Sequence, residues 1–422
     1  MLLSLSGVAQ AEVFLVTPDS LTASLEKAAP GSELHLAPGD YGSLRLSGDY
    51  SKGGKPITLR SQDPAHPARV SRFAIRGANG LILSDMVFDY RFTKGDDINR
   101  EKPFQIMEST DITIRNALFD GDLAQSDKEA LNGFGAGFGL VVRKTKGVVL
   151  ENNELRRWSR AMVISESSNI VLRGNNIHAL RSDGVDFAAV QHVQIEGNFF
   201  HDFARSPTST DHPDMIQFWT NGTKTPSVDV RIRNNIFNSG AGLWTQSIFM
   251  RNEEVDTGRQ GDAMYYRDFE ISGNVIINAH LHGISMGEVD GVSIHNNTLI
   301  RNMHAKGLIG KNAGLWTPTI RINKAARNVS IQDNIVAKII GVEKQPGWTV
   351  QNNLLIQPDK RGSGGHYNAV FAAALSGDPA KLSSFTYLPE GPAGSGTLGS
   401  AFLRPGAPAP GPFKTWPPIA NK

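Results

Sequence analysis

The sequence predicts an all-β chain whose short strands stack as successive coils, and two repeated patterns support this fold class. An apolar-x-apolar-x-x-Asn motif recurs along the chain and places one column at Asn153, Asn175, Asn198, Asn235, Asn274, Asn297, Asn334 and Asn353. The steps between these asparagines are 22, 23, 37, 39, 23, 37 and 19 residues, which is typical of stacked coils with inserted loops. In several coils a second alternating strand precedes the column, as in "MVISESSNIVLRGN". These short strands and their Asn- and Gly-rich turns exclude a helical repeat.

The two ends of the chain differ from the coils. The stretch "MLLSLSGVAQAE" is an apolar run followed by small residues, so residues 1–11 are interpreted as a truncated signal peptide. Asp19 is the expected N-cap of an amphipathic helix that carries Leu21 and Leu25 and covers the first coil. Residues 12–355 then form the predicted coil domain with its cap. The Pro- and Gly-rich residues 356–422 form an extended strap or tail.

Composition limits the classes of function. The 422-residue chain has a formal net charge of +2, which does not favour nucleic-acid binding or a polybasic membrane contact. It contains no cysteine, which excludes disulfides, thiolate metal sites and a cysteine nucleophile. No later stretch reaches the roughly eighteen consecutive apolar residues of a membrane helix. We therefore expect a secreted or periplasmic protein, and we expect a monomer.

The strand patterns resemble those of the right-handed parallel β-helix, the pectin-lyase-like fold, over roughly residues 30 to 355. The resemblance implies that each coil contributes strands to parallel sheets. The asparagine column is then a structural ladder at one turn, because stacked amides can hydrogen-bond to one another and to the backbone. Such a resemblance is specific for fold rather than for activity, so candidate functional residues are sought on the outward faces of the strands.

Alignment of the earlier strand across coils predicts which side chains leave the core. Because buried carboxylates are unfavourable, we expect one column to lie at a bend and face water: Arg160, Asp183, Asp214, Gln246, His282 and Pro318. The outward mid-strand column contains Val163, Asp186, Gln217, Phe249, Ser285 and Arg321. A third outward set contains Trp219, Arg251 and Asn323, with Lys324 just beyond. With strands about 4.8 Å apart, these columns form one surface groove. The inserted loops at 201–213, 238–245, 251–265 and 299–317 are expected to wall it.

Three carbohydrate-active families of this fold resemble parts of the groove. "RSDGVD", "HLHGIS" and "IRINK" are similar, in order, to fragments of polygalacturonase-type glycosidase motifs, which implies a hydrolase with Asp183 and Asp214 as acid and base. The chain departs from that pattern at Pro213, where a paired aspartate is expected, and at Asn323, which stands in a lysine position. "DHPD" has the residues of the Asp-Pro-His motif of mannuronan C5-epimerases in another order. Polysaccharide lyases instead remove the C5 proton of a uronate with an arginine, lysine or histidine.

We favour β-elimination on an acidic, uronate-containing polysaccharide, because the groove has more cationic candidates than hydrolysis requires. The predicted catalytic residues are His212, Asp214, Arg251, His282, Arg321 and Lys324. The predicted substrate-binding residues are Asp183, Asp186, Gln217 and Trp219. Calcium is the one cofactor expected, because Ca²⁺ prefers hard oxygen ligands such as those of Asp183, Asp186 and Asp214. The alternatives are a glycoside hydrolase with paired aspartates, a uronate C5-epimerase and a non-catalytic carbohydrate-binding β-helix.

Overall fold

Short parallel strands form three columns along a right-handed parallel β-helix, which confirms the predicted fold class. The computed structural model describes residues 11–240, 243, 245–303, 305, 316–342, 345–394 and 396–419. Most of the predicted signal peptide, and residues 241–242, 244, 304 and 306–315 of the predicted loops, lie outside these ranges. Within the described ranges, no helix is long and apolar enough to cross a membrane.

The strands are numbered in chain order, and each coil contributes in turn to the columns. The first column contains β1 Val13–Val16, β2 Glu33–Leu36, β5 Ile57–Ser61, β7 Arg72–Ser84, β10 Thr110–Arg115, β13 Lys146–Glu151, β16 Ser168–Arg173, β19 Gln191–Glu196, β22 Val228–Arg233, β25 Tyr266–Ser272, β28 Val289–His295, β31 Arg327–Gln332 and β34 Thr349–Gln351. The second column contains β4 Ser43–Asp49, β9 Phe104–Met107, β12 Phe138–Arg143, β15 Arg160–Ser165, β18 Val185–Ala188, β21 Asp214–Trp219, β24 Gln246–Met250, β27 His282–Met286, β30 Thr319–Ile322 and β33 Ile339–Ile340. The long strand β7 begins in the second column, where it pairs with β4 and β9, and ends in the first, where it pairs with β5 and β10.

The third column consists of shorter strands, which from Glu154 onward follow the asparagine turn. They are β3 Gly39–Asp40, β6 Ala68–Val70, β8 Val87–Asp89, β11 Leu118–Asp120, β14 Glu154–Arg156, β17 Asn176–His178, β20 Phe199–His201, β23 Ile236–Asn238, β26 Val275–Asn278, β29 Thr298–Arg301, β32 Ile335–Val336 and β35 Leu354–Leu355. The short helices are α1 Leu21–Lys27, α2 Glu253–Asp256 and α3 Tyr367–Val370, with 3-10 turns at Pro18–Ser20, Asp262–Met264, Leu382–Phe385 and Ala401–Leu403.

The inward side chains of the columns stack into one apolar core. Val185 of β18 pairs in register with Ile216, and the same position continues through Ile248, Ile284 and Ile320. A parallel row starts at Phe187, whose ring stacks on Phe218 with centroids 4.7 Å apart. The predicted register of the second column is therefore confirmed, because one slipped residue would turn every side chain to the other face.

The asparagine column forms the predicted ladder between the first and third columns. Asn175 Nδ2 donates to Asn198 Oδ1 at 2.9 Å and to the Leu150 carbonyl at 2.9 Å, and the other members repeat this pattern in their own coils. The residue before each ladder asparagine has a positive φ, such as 63° at Gly174 and 54° at Asn152. Gly and Asn tolerate this left-handed conformation best, which explains the repeated "GN" and "NN" pairs of the motif.

The N-terminal cap has the expected helix but a different cap residue. Leu21 of α1 is buried and Leu25 packs against the core, as the amphipathic pattern predicts. The predicted N-cap at Asp19 is wrong, because Asp19 lies inside the 3-10 turn that precedes α1. Ser20 is the N-cap of α1, and its hydroxyl accepts the backbone N–H of Thr17 at 2.9 Å.

The residues after β35 fold back along the outer side of the third column. Tyr367, Phe371 and Tyr387 pack in a second apolar cluster against β26, β29 and β32. Farther along, Trp416 packs on β8 and β11, and Arg156 Nη1 donates to the Trp416 carbonyl at 3.1 Å. The strap is thus a packed segment on the third column, whereas the predicted groove lies on the second.

Candidate functional site

The second column carries the predicted groove on its outer face. Strand pairing stacks its outward mid-strand residues in the predicted order Val163, Asp186, Gln217, Phe249, Ser285 and Arg321. One predicted neighbour in the row that begins at Arg160 is wrong. His282 pairs with Thr319 rather than with Pro318, because an irregularity between His282 and Ile284 shifts the register.

A buried carboxylate cluster, which we define as Asp183, Asp186 and Asp214 with Arg160, lies at the centre of this face. The expectation that the row beginning at Arg160 faces water is wrong for Asp183, Asp214 and Gln246, whose exposed fractions are 2%, 0% and 6%, and for Pro318, which is also buried. Arg160 and His282 are half-buried. Arg160 compensates the burial of Asp183 and Asp186: its Nε lies 3.0 Å from Asp183 Oδ2 and its Nη1 lies 2.7 Å from Asp186 Oδ2. Asp183 Oδ1 also accepts the backbone N–H of Asp214 at 2.9 Å. A buried carboxylate can remain charged when a cation and hydrogen-bond donors contact its oxygens in this way.

His212 lies above this cluster and is paired with Asp214. Its Nδ1 is 3.5 Å from Asp214 Oδ2, which also accepts a 2.9 Å hydrogen bond from Gln217 Nε2. The interaction with Asp214 raises the pKa of His212 to about 9. Burial raises the pKa of Asp214 to about 8, opposed by the contact with His212. We place the proton that the pair shares on His212, because its side chain is 72% exposed and the charged imidazole keeps its hydration.

The carboxylate cluster does not fit the expected calcium site. Its guanidinium already occupies the position of a cation between Asp183 and Asp186, and burial followed by the charge of Asp183 raises the pKa of Asp186 well above its usual range. Asp186 Oδ1 and Asp214 Oδ1 are the cluster oxygens buried without a hydrogen-bond partner, too few for the six to eight ligands of Ca²⁺. In the part of the chain that the structure describes, no group of three His, Asp or Glu side chains is arranged to hold a metal.

The C-terminal half of the face contains a depression of about 560 Å³, which we call the histidine groove. It brings together four of the predicted catalytic residues, Arg251, His282, Arg321 and Lys324. Arg251 Nε lies 2.8 Å from Asp256 Oδ2, a residue of α2 in the inserted loop after β24. Arg321 and Lys324 are exposed and have no ion-pair partner among the described residues. The groove therefore presents free positive charge around an imidazole.

The environment of His282 defines its tautomer and its charge. Its Nδ1 contacts Gln246 Oε1, which can only accept, so Nδ1 carries the hydrogen and Nε2 keeps the lone pair. Phe249 stacks on the ring, with centroids 5.2 Å apart. Burial and, next, the charge of Arg321 lower the pKa of His282 to about 4, with a further contribution from His212. His282 is therefore neutral at working pH, with a free base atom.

Trp219 lies on the other side of the carboxylate cluster. The Arg160 guanidinium carbon is 5.9 Å from the Trp219 ring and 5.6 Å from the Phe138 ring, within the range of cation–π contact. Both rings line a separate depression of about 820 Å³, which we call the tryptophan groove. The predicted site residues thus lie on one face but in three places: the histidine groove, the carboxylate cluster with His212 and Gln217, and the tryptophan groove.

Several residues that shape the site were not predicted as site residues. Arg160 and Gln246 belong to the column that contains Asp183 and His282, so register alone could have assigned them. Burial lowers the pKa of His280 to about 3, and its Nδ1 accepts the backbone N–H of His282 at 3.0 Å. Asp256 lies in a loop without periodic signal, and only the fold brings it to Arg251.

The parallel columns, the asparagine ladder and the charged outer face define a β-helix protein with a surface groove. A family model described as "Right handed beta helix region" matches residues 73–223 and 138–362. The chain belongs to this family.

Solved structures share the fold at low sequence identity. PfbA, a surface adhesin of Streptococcus pneumoniae, is 13% identical, with 81% of this chain and 85% of that chain covered and a TM-score of 0.50. The Dettilon tailspike protein is 13% identical, with 81% and 66% covered and a TM-score of 0.49. The PL6 family alginate lyase AlyGC is 17% identical, with 97% and 60% covered and a TM-score of 0.47, so this chain spans under two thirds of its length. No curated protein matches the chain. These likenesses show the fold alone.

Proposed function

We propose that this chain is a polysaccharide lyase that acts outside the cytoplasm and cleaves an acidic, uronate-containing polysaccharide by β-elimination. One observation carries the proposal: two histidines on one face have environments that separate their pKa values, about 9 for His212 and about 4 for His282. Near neutral pH His212 holds a proton and His282 does not. A pair separated in this way is suited to act as general acid and general base.

The reaction needs a base, an acid and neutralisation of the uronate carboxylate. His282 Nε2 removes the proton at C5, whose acidity rises when Arg321 and Lys324 neutralise the neighbouring carboxylate. The electron pair of the C5–H bond forms the C4–C5 double bond, and the C4–O bond breaks. His212 gives its proton to the leaving oxygen. The products are an unsaturated uronate end and a chain with a new hydroxyl group, and no water is consumed.

The roles of the remaining residues follow from their contacts. Asp214 and Gln217 position the acid, since Gln217 donates to the carboxylate oxygen nearest His212. Gln246 and Phe249 hold the base ring in its tautomer and plane. Arg251 is held by Asp256 at the groove wall, where it can meet a second carboxylate of the polymer.

A hydrolase that uses Asp183 and Asp214 is less well supported. Both carboxylates are buried, and Asp183 is bonded to Arg160 and to the Asp214 backbone. A glycosidase acid and base must both reach the scissile bond or its water. An epimerase would share the first step, removal of the C5 proton, but would return a proton to C5 instead of breaking the C4–O bond.

The test is to incubate the intact protein with polygalacturonate, polymannuronate, polyguluronate and a neutral glucan. Absorbance of unsaturated ends, release of reducing ends, C5 inversion by NMR and binding are followed separately. We expect unsaturated ends from an acidic polymer and none from the glucan. His282→Ala should abolish them, whereas Lys146→Met, which removes an exposed charge from the first column, should not.

The other outcomes each contradict the proposal in a different way. Reducing ends without unsaturation would establish a hydrolase, and C5 inversion without cleavage would establish an epimerase. Binding without any reaction would establish a carbohydrate-binding β-helix.

A further inference from the structure

The tryptophan groove lies on the same strand face as the histidine groove but takes no part in the proposed reaction. We propose that it is a second binding segment for the same acidic polysaccharide, so that the polymer crosses both grooves and is cut inside the chain. This inference rests on the proposed function for the position of the cut. It assigns the tryptophan groove a ligand class, a polyuronate segment beyond the cleaved bond.

Charge in the tryptophan groove matches a polyanion. Lys102, Arg143 and Lys224 line it, against one carboxylate, Glu166. Glu166 is bonded to Arg143, with Nη2 2.7 Å from Oε1, so it does not neutralise the two lysines. Lys102 and Lys224 are exposed, and neither has an ion-pair partner in the described ranges. Together with Arg321 and Lys324 of the histidine groove, they place cations without an ion-pair partner in the described ranges at both ends of one face, in a chain whose net charge is only +2. Lys102 Nζ also lies 5.8 Å from the Phe138 ring, which leaves its charge available to a carboxylate.

Aromatic and hydroxyl side chains complete the groove. Trp219 and Phe138 expose ring surface to it, and Arg160 holds a position against both rings. An aromatic ring can pack against the apolar C–H face of a sugar while nearby polar groups meet its hydroxyls. Ser165, Ser168 and Thr223 supply such polar groups in the same lining. The combination fits an acidic sugar better than a small apolar ligand.

Geometry makes the two grooves one path. Residues of β12, β15, β18 and β21 line the tryptophan groove, and residues of β24, β27, β30 and β33 line the histidine groove. These strands are consecutive neighbours in the second column. At about 4.8 Å per strand the path is about 34 Å long, which requires several sugar units. His212 lies beside the start of β21 and His282 lies on β27, so a polymer that is cut between them extends over the tryptophan groove on one side.

The experiment compares chain lengths on full-length protein. Rates of unsaturated-end formation are measured on size-fractionated oligomers, from short to long, of polygalacturonate, polymannuronate and polyguluronate. Lys224→Met is compared with Lys27→Met, which makes the same charge change on the exposed surface of α1, and Trp219→Ala is measured beside them. Binding of each intact polymer is measured by calorimetry with His282→Ala and with His282→Ala carrying each groove substitution. Circular dichroism melting checks that every variant is folded.

We expect the parent rate to rise with oligomer length until both grooves are filled. Each groove variant should lower kcat/KM by about tenfold on long oligomers, the size expected for one charge-assisted or aromatic contact. Lys224→Met should leave the rate on the shortest cleaved oligomer unchanged. Equal losses at every length, or no loss on long chains, would overturn the second segment while leaving the lyase in place. If the parent binds the polymer without cleaving it and both groove variants weaken binding, the two-groove binding path is supported and the proposed lyase activity is contradicted. If no acidic polymer binds, both are wrong.

Discussion

The asparagine ladder and the carboxylate cluster are two sets of buried polar side chains in this β-helix, and they differ in how completely their atoms are hydrogen-bonded. In the asparagine ladder each interior amide both donates and accepts, as Asn235 does with Asn198, Asn274 and the Ile195 carbonyl. In the carboxylate cluster Asp186 Oδ1 and Asp214 Oδ1 are buried without a partner. The ladder repeats in coil after coil, whereas the cluster occurs where Arg160 reaches the next coil.

The difference separates stability from chemistry. A neutral amide ladder with every atom paired holds the coils in register and has no proton to exchange. A buried set of charges with incomplete pairing shifts pKa values and holds a proton near the surface, as His212 does. Substitutions in the asparagine ladder should therefore affect stability, and substitutions at the charged residues should affect activity and its pH dependence.

The largest expected effect on activity is that of His282→Ala. Loss of a general base typically lowers kcat by about 10² to 10⁴-fold, and His282 is a groove residue rather than a core residue. The melting temperature should stay close to that of the parent. Steady-state kinetics on a cleaved polyuronate and thermal melting measure the two quantities. A variant that retains near-parental kcat would remove His282 from the base role.

The opposite pattern is expected for Asn235→Ala. The substitution removes the acceptor of the Asn198 backbone N–H, one of the two acceptors of the Asn198 side-chain amide, and the side-chain donor to the Ile195 carbonyl, all in a buried interior. We expect the free energy of unfolding to fall by about 2 to 4 kcal/mol. Denaturant unfolding measures this loss. The pH profile of the remaining folded protein should be unchanged, and a shifted profile would show that the ladder is coupled to the site.

A smaller and more specific effect is expected for Asp214→Asn. In the parent, His282 must be neutral and His212 protonated, so kcat/KM should fall below about pH 4 and above about pH 9. Removing the Asp214 carboxylate removes the main cause of the raised pKa of His212. The alkaline limb, which is the pH at which kcat/KM falls on the alkaline side, should therefore move from about 9 toward the ordinary histidine pKa of 6.5. At pH 8 this shift would lower the rate by about thirtyfold, with little change at pH 6.

The pH profile distinguishes this role from simple damage to the fold. A misfolded Asp214→Asn protein would lose activity equally at all pH values. If the alkaline limb stays near pH 9 in an active variant, His212 is not the acid that the limb reports.

The smallest expected effect is that of chelation. Arg160 occupies the position of a cation in the carboxylate cluster, so we expect exhaustive treatment with EDTA to leave the rate within about twofold of the untreated enzyme. Activity assays before and after dialysis measure this. Loss of activity that Ca²⁺ restores would show that the calcium prediction holds at another position on the face.

Much of the architecture can be read from local patterns. The Gly-Asn and Asn-Asn pairs follow from backbone conformation, because a positive φ is required before each ladder residue. The alternation that predicted the Val185 and Phe187 rows depends only on strand period and apolar burial. These constraints act within one coil and repeat in the next, which is why a single sequence is enough to predict them.

The site depends on contacts that no single coil contains. Strand period assigns each residue to a face, so the coils, the ladder and the outward row that contains Asp186, Gln217 and Arg321 follow from local sequence alone. Burial of the carboxylates follows only from the fold: Asp183 and Asp186 are paired with Arg160, which reaches across from the preceding coil, and Asp214 is buried with its backbone N–H bonded to Asp183. The fold also decided the separate charge states of His212 and His282. A pKa reflects burial and neighbouring charge in three dimensions, and the sequence order of these groups contains neither.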